Sequence, residues 1–185
     1  MSDPVSDSTV LVLVGSLRAA SVNRQLAELA IESAPDGVSL ELFDRLGELP
    51  HYNEDIDNVD NVPESVVALR EAAARAGAAL VVTPEYNGSI PGVLKNAIDW
   101  LSRPYGDSAL KDKPLAVVGA ALGQYGGVWA HDETRKSFGI AGPRVVDDLD
   151  LSVSSAAFDG KHPRENAEVA ARVREIVGKL AAEIG

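Results

Sequence analysis

The chain has 185 residues, 45% hydrophobic and 24% charged, the size and composition of one soluble globular domain. It contains no cysteine, which excludes disulfides, thiolate catalysis, Cys-ligated zinc and cysteine-held iron–sulfur clusters. A formal charge of -11 argues against nucleic acid or an anionic membrane as partner, and no apolar run nears the roughly 20 residues of a bilayer span.

The first residues are polar and acidic, unlike a targeting segment, so a flexible tail over 1–8 and a cytoplasmic location are expected, with one domain over 9–185. Thr9 to Val14 is a β-branched and apolar run ending at Gly15, the pattern of a strand buried on both faces. Val22, Leu26, Leu29 and Ala30 repeat at helical spacing, and Pro35 and Gly37 bound that helix. Val38 to Phe43 alternates and predicts a strand at or near an edge. Asp44 to Asn61 lacks a period and predicts a long loop; the seven carboxylates from Asp44 to Glu64 read as a solvated face. A helix opens at Pro63, carries Val66, Leu69, Ala73 and Ala76 on one side, and stops at Gly77.

Ala78 to Thr83 predicts the next buried strand, broken by Pro84. Leu94, Ala97, Ile98 and Leu101 predict a helix from near Pro91, and Leu115 to Ala121 a fourth strand. Gly123, Gly126 and Gly127 form a loop before a helix reaching about Phe138. Arg144 to Val153 predicts a fifth strand, and Val173, Ile176, Val177, Leu180, Ala181 and Ile184 a closing helix. Strict alternation of buried strands and helices argues a doubly wound parallel α/β sheet, in the order 2-1-3-4-5. Ligands of such sheets sit at the carboxyl ends of the strands, near the switch between strands 1 and 3. That directs attention to the segments after Val14 and Thr83.

Gly15-Ser16-Leu17-Arg18-Ala19-Ala20-Ser21-Val22-Asn23 joins strand 1 to helix 1. A helix N-terminus, the hydroxyls of Ser16 and Ser21, the Asn23 amide and the forked cation of Arg18 suit a phosphate monoester. Equally, Ser21 could be only a helix cap and Arg18 a solvated cation. No Gly-x-Gly-x-x-Gly and no Gly-Lys-Ser/Thr is present, so a mononucleotide fits better than a dinucleotide or a triphosphate. The second loop, Thr83-Pro84-Glu85-Tyr86-Asn87-Gly88-Ser89-Ile90-Pro91-Gly92, is stiff and irregular and offers backbone N–H and C=O groups to a flat heteroaromatic. It could also be an ordinary strand-to-helix turn.

Gly15-Ser16-Leu17-Arg18-x-x-Ser21-x-Asn23 resembles the phosphate loop of the NADPH-dependent FMN reductase family. The run from Thr83 through Leu94-Lys95-Asn96-Ala97-Ile98-Asp99-Trp100-Leu101-Ser102-Arg103 is similar to that family's second signature, near its chromate and quinone reductase branch. The resemblance implies a flavodoxin-like fold holding FMN without a covalent bond. Gly15, Ser16, Arg18, Ser21 and Asn23 match the phosphate-loop positions; Pro84, Glu85, Tyr86 and Asn87 match the segment along the isoalloxazine ring; and Gly123 matches a third flavin-side loop. It further implies NADPH or NADH as co-substrate, with hydride passing through the flavin to quinones or similar small acceptors, among them chromate, azo compounds and ferric complexes. Backbone N–H groups of the Tyr86–Asn87 segment are expected to meet charge on the reduced ring, with no catalytic side chain. A homodimer or homotetramer is expected of such a protein. A flavodoxin-type electron carrier, or a flavin-binding regulatory protein, is the alternative.

The remaining candidates carry less chemistry. His51, His131 and His162 have no ligand spacing, so no metal site is expected. His131 is read as a surface residue or a cofactor neighbour, Trp100 as packing or interface, and Lys95–Asp99 as a surface ion pair. Gln124 to Trp129 receives no assignment.

Overall fold

β-branched and aliphatic residues run unbroken from Thr9 to Val14, and β1 (Thr9–Val14) is buried along its whole length. The computed structural model describes residues 8–185, so the tail expected at 1–8 lies, apart from Ser8, outside the described residues. After β1 come α1 (Val22–Glu32), β2 (Ser39–Phe43), α2 (Glu64–Arg75), β3 (Ala78–Val82), α3 (Gly92–Leu101), β4 (Pro114–Ala121), α4 (Val128–Ala141), β5 (Arg144–Ser154) and α5 (Ala167–Ala182). The five strands form one parallel sheet in the order β2-β1-β3-β4-β5. This is the doubly wound topology expected from the alternation of elements, and its switch point falls between β1 and β3.

Alternate side chains of each strand feed two cores. Val10, Val12 and Val14 pack with Leu26 and Ala30 of α1 and Val173, Ile176 and Leu180 of α5. Leu11 and Leu13 point the other way, toward Leu69 of α2, Ala97 and Trp100 of α3, and Phe138 of α4. Trp100 is therefore packing, fully buried, with its indole N–H donated to the Pro50 carbonyl at 2.8 Å.

Two segments differ from the sequence expectation. The stretch after β2 contains short 3-10 turns at Leu46–Glu48 and Glu54–Ile56, and Leu46 and Leu49 join the core. Long-range bonds fix it: Asn96 accepts from the Tyr52 N–H at 2.8 Å, and Arg70 grips Asp57 with two bonds of 2.8 and 3.0 Å. None of these has a local period. The second difference is in β5, whose register on β4 jumps between Val145↔Leu115 and Asp150↔Val117. The extra residues there form a bulge, which buries Leu149 while Asp147 and Asp148 stay exposed.

Candidate functional site

The carboxyl ends of β1, β3 and β4 meet at very short range. The Gly15 N–H bonds the Val82 carbonyl at 2.9 Å, and a Cβ on Gly15 would lie 2.3 Å from Thr83 Oγ1. Only glycine lets the first loop leave β1 against Thr83. Beyond it the chain rises into solvent: Leu17, Arg18, Ala19 and Ala20 are exposed.

In this loop Arg18 N–H reaches Ser16 Oγ at 3.4 Å, and Ser21 caps α1 by accepting from Asn23 N–H at 3.2 Å. The cap leaves the Ser21 hydroxyl proton for another acceptor. Backbone N–H groups of Leu17, Ala19, Ala20 and Val22 have no acceptor among the described residues, and the Arg18 guanidinium has no hydrogen bond or ion pair among them. No carboxylate lies between Gly15 and Asn23. A cluster of unspent donors with one cation at a helix N-terminus is the donor set that a phosphate monoester requires, so the residues present fit that part of FMN. Asn23 is placed otherwise. Its side chain is buried, donating to the Ala120 carbonyl at 2.9 Å and accepting from the Ala120 N–H at 2.8 Å. It thus ties α1 to β4 beneath the loop.

The loop after β3 is a tight turn. Tyr86 and Ser89 exchange N–H···O bonds of 3.1 Å across Asn87 (φ 54°) and Gly88 (φ 73°), the left-handed pair of a type I′ turn. The Tyr86 N–H is therefore occupied by Ser89, contrary to its expected role beside a ring. N–H groups of Glu85, Asn87 and Gly88 have no acceptor among the described residues, and neither Glu85 C=O nor Asn87 C=O has a donor. These unspent groups suit the mixed donor and acceptor edge of an isoalloxazine ring. Pro84 is buried, Tyr86 and Asn87 are exposed, and the Glu85 carboxylate accepts from the Ala130 N–H at 3.1 Å, at the start of α4.

The third loop joins β4 to α4. Gly126 and Gly127 take φ of 63° and 91°, and a Cβ on Gly126 would lie 2.5 Å from the β5 backbone at Ser152. Gly123 is exposed, and a Cβ there would meet nothing within 4 Å. Tyr125 and Trp129 lie with ring centroids 5.6 Å apart, both more than half exposed, and Trp129 stands 3.9 Å from where a Gly88 Cβ would be. Together with Tyr86 they give the site an aromatic rim, and this is what the unassigned Gln124–Trp129 segment contributes.

His131 was missed as a buried residue. It is completely buried, with Nε2 2.8 Å from the Thr83 carbonyl and Nδ1 2.6 Å from Ser152 Oγ. Burial holds its imidazole below the usual histidine range. The sequence did carry a signal, because His131, Thr134 and Phe138 fall on one helical face and all three are buried. The Lys95–Asp99 pair does form at 2.7 Å on the surface. A hollow of about 530 Å³ lies away from these loops, between α3 and α4 beside Asp99, Arg103 and Ile140.

The family model for NADPH-dependent FMN reductase matches residues 8–158. A quinone reductase of Pseudomonas putida is 48% identical over 129 residues, covering 70% of this chain and 68% of that protein. An NAD(P)H-dependent FMN reductase of Pseudomonas aeruginosa is 40% identical over 163 residues, covering 87% and 85%. Among solved structures, the flavoenzyme NAD(P)H:(acceptor) oxidoreductase FerB of Paracoccus denitrificans superposes with a TM-score of 0.82 at 34% identity, covering 96% of this chain and 97% of that one. A flavodoxin of Pseudomonas aeruginosa shares the fold, with a TM-score of 0.59 at 19% identity and coverage of 95% and 98%.

Proposed function

The chain belongs to the NADPH-dependent FMN reductase family, and on that premise we propose that it is an FMN-dependent NAD(P)H oxidoreductase acting on quinones. The observation that carries the reading is the first loop, whose backbone donors and Arg18 guanidinium have no partner among the described residues and whose sequence holds no carboxylate. In a chain of net charge -11, such a cluster is suited to an anionic group held locally against the global field.

When bound, FMN supplies the redox chemistry, taking hydride from a reduced nicotinamide and passing electrons to an oxidant. The protein's own part is binding and orientation. Ser16, Arg18, Ser21 and the N–H groups of Leu17, Ala19, Ala20 and Val22 would hold the phosphate, with Gly15 giving the turn. Pro84, Glu85, Tyr86 and Asn87 would line the ring, where the Glu85 and Asn87 N–H groups, which have no acceptor among the described residues, would meet its polar edge, and Gly123 would border it from the third loop. No side chain is required as nucleophile or obligate general acid. The half-exposed rings of Tyr86, Tyr125 and Trp129 favour flat aromatic oxidants by stacking, which supports quinones above inorganic acceptors.

The alternative of an electron carrier is less well supported, since the flavodoxin likeness extends to the fold alone. The reading also includes residues 9–185 as one FMN-binding domain, a cytoplasmic location where reduced nicotinamides are held, and a homodimer or homotetramer. Self-association is supported by the hollow between α3 and α4 and by Tyr105 and Ile140, which are 87% and 76% exposed there.

An absorbance spectrum of the purified protein, with anaerobic NADPH and NADH titrations and quinone turnover, tests the reading. About one FMN per chain, bleached by reduced nicotinamide, is expected. A protein that binds no FMN, or whose FMN stays oxidised, overturns it.

A further inference from the structure

The one fully buried titratable side chain among the described residues takes no part in the reading above. His131 lies where the ends of β3, β4 and β5 converge under α4. A carbonyl oxygen only accepts, so the 2.8 Å contact places the ring proton on Nε2, donated to Thr83 O. Nδ1 is then an acceptor, and Ser152 Oγ–H donates to it at 2.6 Å. Both ring nitrogens are spent, so the imidazole has one tautomer and one orientation.

The surroundings are shaped to admit that ring. A Cβ on Gly119 of β4 would sit 2.0 Å from Thr83 O and 2.7 Å from His131 Nε2, and one on Gly127 would sit 3.2 Å from Nε2. Thr83 O has no other donor among the described residues. It is also the last carbonyl before the chain turns at Pro84 into the ring-side loop. One position earlier on α4, the Ala130 N–H is held by Glu85, so adjacent residues of one helix grip both sides of Pro84.

We propose that His131 is a positioning residue, fixing the Thr83–Asn87 backbone through its bridge from Ser152 to the Thr83 carbonyl so that the free N–H groups of Glu85 and Asn87 face the flavin ring. This rests on the FMN reading above. The ring-side loop then acquires its shape from α4 and β5, and the phosphate loop does not depend on the bridge. Glutamine can reproduce the bridge, because its amide donates to one partner and accepts from the other, whereas leucine can do neither.

The test compares wild type, His131→Leu, His131→Gln and Ser152→Ala, measuring dissociation constants for FMN and for lumiflavin, the ring without ribityl phosphate. His131→Leu is expected to weaken both ligands by a common factor of about tenfold, and His131→Gln to restore both. If His131→Leu does not fold, Ser152→Ala carries the test, with a common loss of about threefold. Unchanged affinity for both ligands in a folded His131→Leu or Ser152→Ala protein, even with a lower melting temperature, overturns the proposal. So does a loss for FMN without one for lumiflavin, or a folded His131→Gln protein as weak as the leucine variant. A wild type that binds neither ligand overturns the FMN reading itself, whereas variants matching a wild type that binds both overturn only the positioning role.

Discussion

The Asn23 carboxamide extends the sheet where β3 leaves it. Beyond Val82, β3 gives β4 one more bond, from Thr83 N–H to Val118 O at 3.0 Å, and then turns away. Two residues further along β4, the N–H and C=O of Ala120 are met by the two ends of the Asn23 side chain. A residue of the first loop's helix thereby stands in for a missing strand, and it locks the entry of α1 to the sheet.

Asn23→Leu should therefore destabilise the protein by about 2–5 kcal/mol, since it strands a buried donor and a buried acceptor together. Urea unfolding of the flavin-free protein measures this. A loss under about 0.5 kcal/mol would mean that water replaces the amide.

Arg18→Ala should leave the fold intact, because the side chain is exposed and makes no contact with a charged partner among the described residues. It should weaken FMN by about 10- to 150-fold, the value of one charge-assisted contact of roughly 1.5–3 kcal/mol. Riboflavin, which lacks the phosphate, should bind the variant as it binds wild type. Parallel losses for both ligands would instead assign Arg18 to the shape of the loop.

Two glycines should respond oppositely to a methyl group. Gly119→Ala drives a Cβ to 2.0 Å from the Thr83 carbonyl, a backbone atom inside the sheet, and should cost about 3 kcal/mol or prevent folding. Gly123→Ala meets open space and should stay within about 0.5 kcal/mol of wild type. Because that variant is structurally neutral, any fall in its FMN affinity would report contact between position 123 and the ligand.

Stability should fall in mild acid through His131. Desolvation lowers its folded-state pKa, helped by Arg135 and opposed by the Thr83 carbonyl bond and by Glu85 and Asp132. The unfolded chain takes up a proton near the ordinary value of about 6.5 while the native one does not, so stability is complete above that pH and drains as pH drops through it. The slope reaches at most about 1.4 kcal/mol per pH unit. Unfolding of wild type and His131→Gln at pH 7.5, 6.5 and 5.5 isolates this group, since carboxylate effects cancel in the difference. Equal acid losses in the two proteins would show that the imidazole titrates freely.

The element order, the parallel sheet and the two loops at its switch point were legible in the residues themselves. Hydrophobic period and punctuation by Pro and Gly are local properties: Thr9–Val14 has to be a strand buried on both faces, and Pro84 has to break β3. The same holds for the loop after β1, where Ser16, Arg18 and Ser21 sit within six residues. What the tertiary structure alone decided is how each side chain is spent. Asn23 turns inward to Ala120, 97 residues away, and Glu85 turns to α4 instead of the open rim. His131, one of three histidines without ligand spacing, lies buried because Gly119 and Gly127 withhold the Cβ atoms that would fill its place. Hydrogen bonds and close approaches between distant segments depend on which strands end side by side, and no period along the chain encodes that.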